Sequence, residues 1–205
     1  MKPYAAYAIG AALVDTEIKV QDTELSQMNV EKGMMTLVDA DRQAELLSHL
    51  EGHLVKASHA SGGSAGNSMI AAAQFGGPTF MSCKVANDSD GDIYIADMEA
   101  AGVDHCLTGE REEGTTGKCL VLISPDAERS MNTNLSISET LSEEQLVPGA
   151  ITQSEYLYIE GYLVTSPTGR AAAIKAKSIA EEAGVKTSIS FSDPGMVEFF
   201  REGME

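Results

Sequence analysis

Cysteine, basic side chains and long apolar runs are all scarce in this chain, and each scarcity closes off a class of protein. The three cysteines, Cys83, Cys106 and Cys119, are odd in number and widely spaced, which gives neither a disulfide framework nor a metal-ligand spacing. They read as small buried hydrophobes, and the matching compartment is a reducing one. Lys and Arg total 14 against 31 Asp and Glu, a formal net charge of −17. So acidic a surface does not neutralise a nucleic-acid polymer or dock on an anionic membrane. No apolar run approaches the roughly 20 residues needed to cross a bilayer. The apolar segment after Met1-Lys2-Pro3-Tyr4 reaches Asp15 without a cleavage-like stretch, so the expected location is cytoplasmic. Internal repeats, heptad arrays and low-complexity tracts are absent as well.

What is present is the composition of a folded domain. Apolar residues make up 43% and charged residues 22% of 205 residues, room for one large domain or two small ones. The run YAAYAIGAALV at 4–14 is nearly unbroken in apolar character and predicts a central parallel strand. Residues 16–38 alternate around Ile18 and Val20 and include GMMTLV at 33–38, as in a β ribbon with one wet face. After Asp39, the spacing of Ala44, Leu46, Leu47 and Leu50 predicts a helix. Residues 54–59 predict a short strand, 61–67 a glycine-rich turn, and SMIAAAQF at 68–75 a helix stopped by Gly76-Gly77-Pro78. A strand at 79–85 follows, then a helix from Asp90 or Gly91 to Ala101, closed by Gly102. Residues 105–108 and 117–123 predict strands around the polar loop 109–114, whose Glu110-Arg111-Glu112-Glu113 reads as a solvated hairpin end. After a short helix at 142–146 and a strand at 156–159, Ser166-Pro167 caps and starts a helix that stops at Gly184. A strand at 185–191 and a helix from Pro194 that reaches the terminus near Glu205 complete the pattern. Strands alternating with helices imply an α/β fold with a parallel sheet covered on both faces. The two interrupting β segments fit a second, smaller sheet.

In such a fold ligands bind outside the carboxyl ends of the strands. Three polar features are expected there: Asp15, the glycine turn and Glu160. Gly62 and Gly63 let backbone come close to a ligand, and the helix behind them offers free N–H groups. Asn67 donates and accepts at once, which suits paired hydroxyls. A carboxylate at Asp15 strengthens the hydrogen bonds such hydroxyls donate. Together they point to a polyol or ribose site, although each feature also has a purely structural reading. Neither G-x-G-x-x-G nor G-x-x-x-x-G-K-[ST] occurs, which disfavours an NAD-binding unit and a P-loop. His49 and His53 stand four apart, but Glu51 and Gly52 between them do not make H-E-x-x-H, so no metal site is expected.

GGSAGNSMIAAAQFGGPTFMSCKVANDSDGDIYIADMEAAGV, starting at Gly62, resembles the first signature of the PfkB-type, ribokinase-like sugar and nucleoside kinases, nearest the adenosine kinase branch. IGAALVD at 9–15, TTGKCLVLISPDAERSMNTNL at 115–135 and YLYIEGYLVTSP at 156–167 agree in order and spacing. The resemblance covers essentially the whole chain. It implies a ribokinase-like three-layer α/β/α sandwich with a small β-sheet lid, the core from 1–15, 39–104 and 132–205 and the lid from 16–38 and 105–131. It also implies transfer of the ATP γ-phosphoryl group to a hydroxymethyl oxygen of a sugar or nucleoside, with Mg²⁺. Carried over by motif, Asp15, Gly62, Gly63 and Asn67 would hold hydroxyls of an adenosine- or ribose-like substrate. Glu160 corresponds to a strand-end acid that contacts sugar in the ribokinase group, and Leu13 with Met34 or Met35 would pack on the base or sugar.

Some positions depart from the family pattern. Gly10-Ala11 stands for the usual Gly-Asn, Ala86 for the glycine of Lys-Val-Gly-Asp, and Met69 for a small residue after Asn67. The chain contains neither D-T-x-G-A-G-D, which supplies the anion hole and catalytic Asp, nor N-x-x-E, which helps place the metal. The resemblance therefore implies a catalytic Asp and an anion hole beyond Glu205. The expectation is an amino-terminal fragment, incomplete at its C-terminus, with no catalytic residue and no metal ligand in this chain. The alternative is a short paralogue that binds a sugar or nucleoside without catalysis, or pairs through its lid; a lid-mediated homodimer is compatible with both.

Overall fold

The computed structural model describes residues 2–53 and 58–204. Part of the expected strand at 54–59 lies outside the described residues, and so does Glu205, the expected end of the last helix. The described strands are β1 (Tyr4–Ile9), β2 (Leu13–Lys19), β3 (Met35–Leu37), β4 (Ser58–Gly62), β5 (Thr79–Ser82), β6 (Val103–His105), β7 (Gly117–Ile123), β8 (Arg129–Asn134), β9 (Ser154–Ile159) and β10 (Lys186–Ile189). They form two five-stranded sheets, ordered β10-β9-β1-β5-β6 and β3-β8-β7-β2-β4. The first is parallel throughout, with Ala6 opposite Thr79 on one side and Tyr156 on the other. In the second, β2 runs parallel to β7 and antiparallel to β4, while β8 is antiparallel to β7 and parallel to β3.

Burial on both faces explains the parallel sheet: Tyr7, Ala8, Ile9, Met81 and Leu157 are wholly enclosed. Helices α3 (Ser64–Gln74) and α4 (Ser89–Ala101) pack over β1, β5 and β6, while α5 (Pro148–Thr152) and α6 (Pro167–Glu182) pack over β1, β9 and β10. The result is the expected three-layer ribokinase-like arrangement. Helix α6 starts as its residues dictate, with Ser166 accepting from the Gly169 N–H and Pro167 in the first turn. It meets the sheet through Ala172, Ala176 and Ala180, all fully buried, while Ile174 faces outward.

Several elements differ from expectation. The apolar run at 4–14 is two strands in two sheets, because Gly10, Ala11 and Ala12 turn the chain while staying buried. Apolarity persists through the turn, so the sequence carries no polar mark of it. The presumed ribbon at 16–38 contains a helix, α1 (Asp22–Gln27), whose first turn is acidic and whose Glu24 side chain accepts from the Gln21 N–H at 2.7 Å. Leu25 and Met28 from this segment join Leu46 and Leu50, from α2 (Ala40–His49) and its C-terminal end, against Ile18, Leu120 and Leu122. One face of the second sheet is thus covered by helices. The expected boundaries divide differently in space: β4 and α2 belong with the second sheet, and β6 with the first. After α6 and β10, the segment from Pro194 forms two short helices rather than one, α7 (Pro194–Phe199) and α8 (Arg201–Met204).

Candidate functional site

The uncovered face of the second sheet looks toward the carboxyl ends of β1 and β9 across a cavity of about 270 Å³. Leu13, Asp15, Gly63, Asn67, Glu160 and Met35 all line it. These residues come from both sheets and from α3, and only the turn at 10–12 brings them together. Met34 is not on the wall. Gly62 stands behind it, paired with Leu13. A Cβ at Gly62 would overlap the Asp15 carboxylate, so the glycine makes room for the acid.

Asp15 sits on β2, inside the second sheet rather than at the end of the first strand as its motif suggested. Loss of solvent pushes its carboxyl up to about 6, against the pull of the Arg129 charge, with Glu17 adding to the rise. Gly63 has φ +89, and a Cβ there would run into the Ala11 carbonyl oxygen. That geometry lets α3 start at Ser64, inside the glycine motif and earlier than its apolar pattern indicated. Asn67, one turn into α3, is exposed, and its side-chain amide makes no hydrogen bond among the described residues.

Glu160 is buried and already engaged by protein. Oε2 accepts from the Ala11 N–H at 2.7 Å; Oε1 accepts from Ser64 Oγ at 2.6 Å and the Ala65 N–H at 3.1 Å. Burial raises its pKa, and these donors oppose the rise. The carboxylate borders the cavity, yet its main work is to hold the walls together.

Other wall residues escaped the sequence reading. Arg129, Met131 and Thr133 alternate along β8, so a period of two marked their common face. The Arg129 guanidinium lies 3.4 Å from Glu17. Cys119 accepts from Thr133 Oγ1 at 3.3 Å, and burial, then the Asp15 charge, pushes its thiol up to about 12. Tyr162, just past Glu160, donates to Asp193 at 2.7 Å. The cavity therefore offers a half-buried acceptor beside a cation, a free amide, and an apolar wall of Leu13, Met35, Met131 and Leu135. Such a surface suits a compound with hydroxyls on one edge and an apolar face.

The two histidines do not face a common point: His49 bonds the Glu45 carbonyl at 2.9 Å, and His53 pairs with Glu24 at 3.0 Å. Among the described residues, no three His, Cys, Asp or Glu side chains are grouped to hold a metal ion. The catalytic Asp and anion hole expected beyond Glu205 fall outside the described residues, as Glu205 itself does. The loop at 109–114 is solvated as expected, with Glu110, Glu112 and Glu113 exposed, but it links strands of different sheets rather than ending a hairpin. Glu112 meets Lys84 at 2.8 Å and Glu113 accepts from Asn87 at 2.9 Å. No helix among the described residues is long and apolar enough to cross a membrane.

Residues 30–204 match the pfkB family of carbohydrate kinases. The ribokinase of Mus musculus is 27% identical over 126 residues, which is 62% of this chain and 38% of the ribokinase. A probable sugar kinase from Rhizobium etli CFN 42 superposes with a TM-score of 0.94 at 31% identity over 100% of this chain. The adenosine kinase from Sinorhizobium meliloti superposes with a TM-score of 0.92 at 34% identity over 98%. In both structures the chain spans 61% of the other protein's length.

Proposed function

Because the chain belongs to the pfkB family of carbohydrate kinases, we propose that residues 1–205 form the substrate-holding part and lid of an ATP-dependent kinase for a sugar or nucleoside hydroxymethyl group. The observation that carries this is Asp15, a half-buried carboxylate facing a cavity in which the Asn67 amide is free to pair. In this reading Asp15 and Asn67 bind two hydroxyls of one sugar ring and orient it. Gly62 and Gly63 bring the backbone close, and Glu160 fixes the frame. The second sheet acts as the lid that excludes water. The apolar wall and the likeness to the Sinorhizobium adenosine kinase favour a nucleoside over a free sugar. ATP would supply the phosphoryl group, and Mg²⁺ would neutralise its charge. No described residues are grouped for that ion, and transfer itself is assigned to an Asp and an anion hole beyond Glu205.

Calorimetry with adenosine, ribose and fructose tests the binding part. Adenosine should bind most tightly, and Asp15→Ala should weaken it about ten- to a hundredfold, the cost of leaving hydroxyls unpaired. Equal affinity in wild type and variant would remove Asp15 from the site. Turnover of adenosine by this chain with Mg-ATP would overturn the assignment to a substrate-holding part.

A further inference from the structure

A second cavity, of about 210 Å³, opens where β5 and β6 end, away from the proposed substrate pocket. Cys83 and Cys106, separated by 23 positions in sequence, both line it. Adjacent parallel strands bring them together: Met81 pairs with His105, and each strand then runs on to its cysteine. The Cys106 sulfur accepts from the Cys83 N–H at 3.4 Å and donates to the Cys83 carbonyl at 3.2 Å. Lys84 and Arg111 line the same cavity, with Glu110, Glu112 and Glu144.

We propose that Cys83 and Cys106 are a redox-active dithiol that a peroxide converts reversibly to an intramolecular disulfide. Three features distinguish the pair from inert core cysteines. The cavity gives a small oxidant a path to Cys106, which is partly exposed, while Cys83 stands wholly buried behind it. Hydrogen bonding from Cys83 lowers the Cys106 thiol despite burial, while the same contact pushes Cys83 up, which marks Cys106 as the sulfur that attacks first. Behind Cys83 stands the fully enclosed Tyr94 hydroxyl, which faces the Cys83 thiol. It is a ready donor for negative charge developing on that sulfur.

The chemistry balances without a metal. The Cys106 thiolate attacks one oxygen of hydrogen peroxide; the O–O bond breaks, the leaving hydroxide takes up a proton, and Cys106 becomes a sulfenic acid. Cys83 sulfur then attacks Cys106 sulfur, forming the S–S bond as the S–O bond breaks, and the departing hydroxide leaves as water with the Cys83 proton. Two thiols lose two hydrogens, and one peroxide becomes two waters. An external dithiol reverses the step by exchange.

The test is peroxide titration of the purified chain, followed by intact mass, peptide mapping and free-thiol counting. The three free thiols should fall to one, with loss of two hydrogens, a single cross-linked peptide pair and full recovery in dithiothreitol. Cys119→Ser should behave as wild type, and Cys106→Ser should form no disulfide. In Cys83→Ser, Cys106 should stop at the sulfenic acid and label with dimedone, a readout that does not depend on the disulfide forming. Retention of all three thiols, a disulfide through Cys119, or irreversible oxidation of Cys106 with Cys83 still free would each overturn the proposal.

Discussion

Glu160 Oε2 lies 2.7 Å from the backbone nitrogen of Ala11, a bond that ties the end of β9 to the short link between the two sheets. The other oxygen of the same carboxylate holds Ser64 and Ala65 at the start of α3. One buried side chain thus sets three segments around the cavity. Gly10 is part of the same fit, since a Cβ there would press on Ala65 and Glu160.

Glu160→Gln should break this frame while keeping its shape. A glutamine oxygen can serve Ser64 and Ala65, but its NH₂ then meets the Ala11 N–H, donor against donor. The expected loss is about 1–3 kcal/mol of stability, with weaker adenosine binding. Denaturant unfolding checks the first and calorimetry the second; a variant as stable as wild type would show that the three bonds are not coupled.

Asp15 predicts opposite pH trends for folding and for binding. Its carboxyl rises from 3.8 to about 6 in the folded chain, chiefly through burial. A raised acid favours the folded state while protonated, so its contribution is complete below the ordinary value and is lost as pH climbs through 6. Asp15→Asn, which has no charge to bury, should therefore gain on wild type between roughly pH 4 and 7, by at most about 3 kcal/mol. Adenosine affinity should do the reverse, rising through about pH 6 in wild type and staying flat in the variant. Parallel pH profiles for the two proteins would contradict the assignment.

Much of the fold was legible because its signals are local. Ser166-Pro167 starts one helix by its cap and ring, Gly102 ends another by its left-handed backbone, and the alternation of β with α stretches marks the parallel sheet. The turn at 10–12 was not legible, since Ala11 and Ala12 are as buried as the strands beside them and no polar residue breaks the run. The cavity shows the same division. Asp15, Gly63 and Asn67 stood out through their motif, whereas Arg129, Cys119 and Thr133 reach the wall only through pairing of β7 with β8 and of β2 with β7. Cys83 and Cys106 looked unrelated for the same reason: their proximity is a property of strand order, not of spacing.

Two glycines share nearly the same φ but differ in what a side chain would meet. Gly63 and Gly76 have φ +89 and +88, but a Cβ at Gly76 meets nothing within 4 Å, whereas one at Gly63 overlaps the Ala11 oxygen. Gly76→Ala should cost about 1 kcal/mol, the left-handed penalty alone. Gly63→Ala should cost about 2–4 kcal/mol, since a backbone clash adds to that strain. Chemical denaturation of both variants decides this, and equal losses would mean that the Ala11 segment yields easily.

Asp88 joins the two sheets by a different route. Its side chain caps α4 through the Gly91 N–H at 2.8 Å and also accepts from Thr116 N–H at 2.8 Å and Thr116 Oγ1 at 2.6 Å. Thr116 stands directly before β7, so this carboxylate links the helix of one layer to a strand of the other sheet. Desolvation is the largest single influence and raises its pKa, but the bonds from Thr116 and Gly91 together outweigh it and leave the pKa lowered. A lowered acid stabilises the fold above its ordinary value, and that contribution is lost as pH falls through the folded value. Asp88→Ala should therefore lose about 2 kcal/mol at roughly pH 7, a helix cap and a charged hydrogen bond together, and should lose progressively less below about pH 4. Asp88→Asn keeps one acceptor oxygen for the cap but turns its NH₂ toward Thr116, so it should fall between the two and show less acid sensitivity. Melting temperatures of the three proteins from roughly pH 3 to 7 discriminate: if Asp88→Asn matched wild type throughout, the Thr116 bonds would be contributing nothing to the junction.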